Sequence, residues 1–234
     1  GGLHSILPKH YSRISSRPGS GAQFETYAFS VEQKFPTRTY LGVSGQLLNS
    51  DVQQMVGAFD WFPPPPIPTP PAIPAGLRED LNYQEQSLRF TANQLVGKRW
   101  ALNVDYQLSQ AVLNENFVGV PNTLGAGSIQ PRQRLKGVLN QVDLVMVYNH
   151  PCGFYAQPEA HWYSQDNSGY DPAEPGQDFW QLNAFVGYRF LHRKAEVALG
   201  VLNLTDQNYK LNPLNLYDEL PRSRTLALSL RVNF

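Results

Sequence analysis

Long apolar runs are missing from this chain of 234 residues: nowhere do 18 apolar residues follow one another, which excludes a transmembrane helix. Cysteine is almost absent. The single Cys152 cannot form an internal disulfide and no metal cluster can be assembled around it, so it is read as an incidental turn residue. Charge is scarce too, with Asp, Glu, Lys and Arg at 16% against a usual share of about a quarter. Nineteen acids balance nineteen bases, so no net field draws a polyanion and no nucleic-acid partner is expected. The opening Gly1-Gly2-Leu3-His4 carries no basic and apolar leader, so a signal peptide, if one exists, is expected to have been removed or to lie outside this sequence.

Alternation takes the place of apolar runs. From Arg222 to Phe234 the even positions Leu226, Leu228, Leu230, Val232 and Phe234 are apolar, and Ser223, Thr225, Ser229, Arg231 and Asn233 between them are polar. A period of two over such a length predicts a strand with one greasy face, long enough to cross a membrane if tilted, for which about 9 to 11 residues are needed. Tyr27, Phe29, Val31 and Phe35 repeat the pattern, as do Leu41, Val43 and Leu47 in a strand that runs on past Met55 towards Trp61. Leu88, Phe90, Ala92 and Val96 form a third face, and Trp100, Leu102, Val104, Tyr106 and Leu108 a fourth. Further strands are predicted over roughly 135–148, where the alternation is less clean, then at Phe154–Tyr163, Trp180–Phe190 and Ala195–Val201. Pro158 demands a bulge or a missing ladder bond in its strand.

Nine strands result, or ten if residues 3–11 within the Ser, Gly and Pro-rich opening 1–22 add an edge strand. Their connections alternate in length. Short turns fall near 36, 97, 149 and 191, and long loops at 62–80, 111–134, 164–177 and 205–221. The first long loop holds Pro63-Pro64-Pro65-Pro66 and further prolines to Pro74, which cannot donate to a ladder. Alternation of short and long is the habit of outer-membrane barrels, whose periplasmic turns are short and extracellular loops long. Aromatic belts are the second sign: Trp61, Trp162 and Trp180 are expected at the long-loop end, and Trp100 with Tyr148, Phe154, Phe190 and Phe234 at the other. The expected fold is therefore all-β, an antiparallel up-and-down transmembrane β-barrel over 23–234 in contact with outer-membrane lipid; a soluble sandwich would also alternate but has no reason to sort its loops by length.

Side chains on the polar parity would face the lumen, and the candidates are Arg89, Asn103, Asp105, Glu159, His161, Asn183 and Arg189. Glu159 and His161 lie on the same side of one strand, as an acid-base pair or metal site requires, but no third ligand stands at a recognisable spacing. They are read as members of a hydrogen-bonded lumen network. His192 and Arg193 are read as turn residues in contact with solvent or lipid headgroups. No catalytic residue, metal or cofactor is expected.

The closing part of the chain resembles a known family. Gly200-Val201-Leu202-Asn203-Leu204-Thr205-Asp206-Gln207-Asn208-Tyr209 is similar to the penultimate-strand motif of TonB-dependent receptors, and Pro221-Arg222-Ser223-Arg224-Thr225 with the strand to Phe234 is similar to their closing segment. The match covers residues 200–234; the earlier strands agree in pattern only. The resemblance implies location in the outer membrane of a Gram-negative-type bacterium, recognition of the strand ending in Phe234 by the barrel assembly machinery, and import of a scarce ligand of siderophore, cobalamin or glycan type. It also implies coupling to TonB through a plug domain that is not visible in this sequence. Ligand capture would fall to loop aromatics, here Trp61, Phe62, Tyr170 and Tyr217. Plugged transporters use 22 strands and single-chain bacterial barrels even numbers, so nine or ten strands are expected to be part of a larger barrel. The alternatives are a self-contained porin-like channel and a barrel that presents surface-binding loops.

Overall fold

The computed structural model describes residues 22–61, 72–120, 130–190 and 194–232. The expectations for residues 1–21, Phe62, His192, Arg193 and Phe234, and for the side chain of Trp61, lie outside the described residues. Nine strands run in chain order: β1 Gln23–Lys34, β2 Thr39–Trp61, β3 Ala72–Val96, β4 Trp100–Phe117, β5 Arg132–Asn149, β6 Phe154–Ser168, β7 Asp178–Phe190, β8 Ala195–Leu202 and β9 Thr225–Val232. They form a single all-β antiparallel sheet in the order β1 to β9, each strand beside its sequence neighbours. The described residues contain no helix. The sheet is not closed: among the described residues β1 pairs only with β2 and β9 only with β8.

Several strands outrun the alternation that announced them. Residues 72–80, expected within the first long loop, belong to β3; β4 continues to Phe117 and β5 starts at Arg132, which shortens the loop expected over 111–134; β6 continues to Ser168, four residues or more into the loop expected from 164. Alternation reports a contrast between two faces and fades where both are alike, apolar over 72–77 or polar over 164–168, whereas the backbone ladder continues regardless of side chain. Pro74 sits opposite Phe59 where β3 has no partner on its other side, the one place in a sheet where a missing N–H costs no ladder bond. Beyond Asp51 and Glu79, β2 and β3 leave the sheet as a two-stranded ribbon. Its seven residues on β2, 55–61, span about 23 Å. Trp162, expected at a strand end, stands inside β6 for the same reason.

Turn chemistry is local. Arg38 adopts a positive φ of 61° in the β1–β2 turn and Gly97 one of 60° in the β3–β4 turn. Gly153 at 105° cannot be replaced, because a Cβ there would lie 2.2 Å from the Arg189 carbonyl oxygen. Around Pro158 the register is the same on both sides, with Val145 opposite Glu159 and Tyr148 opposite Ala156. The proline therefore leaves a gap in the ladder and no bulge.

Burial is inverted relative to a water-soluble sheet. Phe29, Phe90, Val104, Leu144, Leu182, Val186 and Leu228 share one face by register and are all exposed. The opposite face carries the buried side chains, and Ser109, Gln165, Gln181, Asn183 and Asp105 are among them. Among the described residues its apolar cluster is Leu139, Tyr163 and Phe179 under Tyr209 and Leu211. The last two come from the β8–β9 connection, 203–224, expected as an external loop over 205–221 and found folded back across the polar face.

Candidate functional site

All seven side chains expected on the lumen side share the polar face, since the register places Arg89 opposite Gln107, Thr91 opposite Asp105, Asn93 opposite Asn103 and Glu159 opposite Asn183. The strands bring them together in separate groups. Arg89 Nε donates to both carboxylate oxygens of Asp105, at 2.7 and 2.9 Å, and Thr91 adds its hydroxyl at 3.2 Å. Asp105 is buried while the Arg89 side chain is 53% exposed, so the carboxylate is held and the far end of the guanidinium remains free to face solvent. Asn103 donates to Asn93 at 2.9 Å.

The second group centres on His161. Its Nδ1 lies 2.6 Å from Asp143 of the neighbouring strand, and its Nε2 lies 3.4 Å from Glu159 and 3.1 Å from the Asn183 amide. Asn183 also donates to Glu159 at 3.1 Å, and Gln157 donates to the other Glu159 oxygen at 2.6 Å. The two carboxylates occupy opposite edges of the imidazole and cannot converge on one ion, which agrees with the absence, among the described residues, of any group of three His, Cys, Asp or Glu able to hold a metal. This is a positioned ionic network. Asp143 was not among the sequence candidates; the tight β5–β6 turn, once its register is counted, places it opposite His161.

Arg189 forms a third group near the short turns. Its Nε donates to Glu196 at 2.8 Å and its Nη1 to Asn149 at 2.6 Å, and the guanidinium stacks 4.1 Å over the Tyr155 ring. Tyr155 closes the group by donating to Glu196 at 2.9 Å, its ring lying over Gly187, where no side chain could fit.

The connection 203–224 covers the middle of the wall, from β7 to β3. Asn203 and Asp206 adopt positive φ of 52° and 54°, a region open to Asn and Asp more than to other side chains, which accounts physically for two residues of the Asn203-Leu204-Thr205-Asp206 stretch. Asn203 takes a bond from the Gln207 amide at 2.7 Å and donates to the Gln207 and Pro221 carbonyls at 2.9 and 3.0 Å. Asp206 accepts the Arg224 amide at 2.8 Å, so the motif ties together both ends of the connection. Farther along, Tyr209 stacks on Phe179 and donates to the Leu220 carbonyl at 2.6 Å. Of the loop aromatics expected to meet ligand, Tyr170 hydrogen-bonds to Asn212, and Tyr217 packs against the apolar cluster, where burial pushes its phenol up. Neither Asn212 nor Asn215, which carry much of this seat, has a signal in the linear sequence.

Along the β1–β4 part of the wall a cavity of about 340 Å³ stays uncovered by the described residues, lined by Ser30, Ser44, Gln46, Ser87 and Arg89 and bounded by Leu216 at the tip of the connection. On the opposite face aromatic pairs include Trp100 with Tyr148, ring centres 4.6 Å apart at the short-turn end, Phe90 with Tyr106, 6.4 Å apart, and Trp162 with Trp180, 6.3 Å apart towards the long-connection end.

No protein-family model matches the chain, and no curated protein sequence matches it.

Proposed function

We propose that this chain is lipid-facing wall of an outer-membrane β-barrel, the barrel portion of a TonB-dependent receptor-like importer of a scarce ligand. The observation that carries the reading is the inverted burial: the face of large apolar side chains is the exposed one, and on the other face charged and amide side chains such as Asp105, His161, Asn183 and Glu196 are held in hydrogen-bonded pairs. In water that arrangement exposes a patch far larger than a soluble monomer tolerates; against lipid it is the stable one. Dimensions agree. Trp180 and Phe190 stand ten residues apart on the apolar face of β7, about 33 Å along the strand, which projects to about 25 Å at a tilt near 40°, the height of a barrel's apolar band. The open edges of β1 and β9 support membership in a larger barrel, since an unpaired edge cannot face hydrocarbon. The Asn203–Tyr209 motif and the closing strand support the narrower family reading.

Fractionation of cells producing the full-length protein tests the first part: the expected result is recovery with the outer membrane, extraction only by detergent, and faster gel migration unheated than boiled. Recovery as a soluble monomer overturns it. The importer reading expects ligand accumulation that an uncoupler of the inner membrane abolishes; passive conductance indifferent to the uncoupler favours the porin-like channel.

A further inference from the structure

We infer that the β8–β9 connection, residues 203–224, is a fixed internal constriction seated on the polar wall of β3–β7, while among the described residues the β1–β4 side of that wall stays uncovered; this rests on the barrel reading above. The connection reaches across five strands. Asn203 N–H donates to Asn183 on β7, Asn212 is gripped by Gln165 on β6, Asn215 donates to Gly137 on β5 and Ser109 on β4, and the Leu214 carbonyl accepts from Tyr83 on β3. Crossing from β7 to β3 covers about 19 Å at the usual strand spacing. It then returns to β7, where Gln181 donates to the Pro221 carbonyl at 2.9 Å.

Two kinds of contact hold it. Tyr209 and Leu211 bury against Leu139, Tyr163 and Phe179, and the amides of Asn203 and Asn215 are fully buried with their partners satisfied. The wall is shaped for it as well: a Cβ at Gly137 would lie 2.4 Å from Asn215 Oδ1, so the glycine makes the room that the asparagine fills. A segment meant to swing away would not have its tip amide buried against two backbone carbonyls. Beyond that tip the wall differs, for Ser30, Ser44, Gln46, Ser87 and Gln107 make no side-chain hydrogen bond among the described residues and face the uncovered cavity. These unspent groups are the ones a passing solute meets.

The test uses the full-length protein in planar bilayers with potassium chloride as the permeant salt. Gly137→Val removes the room for Asn215, and a thiol-reactive label on a Leu211→Cys reporter, buried while the connection is seated, in a Cys152→Ser background shows whether the strap has lifted. The expected result is a conductance raised roughly two-fold or more above the parent, whatever the parent's own level. Conversely, a disulfide between Ser109→Cys and Asn215→Cys should leave conductance unchanged. A lifted strap with unaltered conductance overturns the constriction, and a locked strap that lowers conductance overturns its being fixed. Should Gly137→Val fail to fold, Asn212→Ala with Asn215→Ala releases the same seat. A protein that never enters the bilayer and stays soluble without detergent overturns the barrel reading and the constriction together.

Discussion

Asn215 lies with its Nδ2 3.3 Å from the Gly137 carbonyl, 78 positions away in sequence, in a space that exists because residue 137 has no side chain. The pair couples the β8–β9 connection to the middle of β5. Strand propensity alone would favour almost any residue over glycine there.

Gly137→Ala is therefore expected to destabilise, by about 1–3 kcal/mol as an overpacking substitution, in spite of its better strand propensity. Adding Asn215→Ala should relieve the clash, so the two changes together cost less than their sum. Thermal unfolding in detergent, arranged as a double-mutant cycle, measures the coupling. Strict additivity would show that the two residues do not share the space.

Asn203→Ala removes a positive-φ residue and three side-chain bonds inside a fully buried position. The expected loss is about 2–4 kcal/mol from unsatisfied buried groups and backbone strain. Trypsin should then cut the connection near Lys210 and Arg222 while the strands stay protected. Protection equal to that of the parent would refute the clasp.

Arg89→Met should cost more than Asp105→Asn. Removing the guanidinium leaves a buried carboxylate without its counter-ion, whereas the asparagine keeps a neutral acceptor for Arg89 and Thr91. The expected difference is about 1–3 kcal/mol, read from midpoints of urea unfolding. Equal midpoints would place Asp105 in contact with water.

Val186→Arg, on the exposed apolar face midway between Trp180 and Phe190, separates a lipid-facing strand from a water-facing one. At the middle of a bilayer face the cost is about 2–4 kcal/mol, and at an ordinary exposed position within about 0.5 kcal/mol of zero. Equilibrium folding into lipid vesicles gives the number; a neutral result argues against the membrane reading.

Alternation determined more than the fold class. A period of two with tight turns between strands is enough to assign each side chain to a face, because strand geometry leaves no other choice once the turn is counted. That is why Arg89, Asp105, Glu159, His161, Asn183 and Arg189, read from parity alone, all sit on one face of the sheet. Strand ends were not legible beyond the apolar band: β3 opens with Ala72–Leu77, without polar alternation and interrupted by Pro74, and β4 runs on through Ala111-Val112-Leu113 to Phe117, where the two faces do not contrast and only the backbone ladder marks a strand. Partners across strands needed the register, and Asp143 beside His161 is the instance. The connection 203–224 was hidden most completely. Its asparagines and tyrosines have the composition of a solvent loop, and nothing local says whether their amides meet water or Gln165, Ser109 and Gly137. Sequence by itself determined which face of each strand is apolar, since that depends on neighbours one and two residues away. Tertiary structure alone decided what covers the polar face, because that depends on contacts between residues up to 131 positions apart that carry no period for a reader to find.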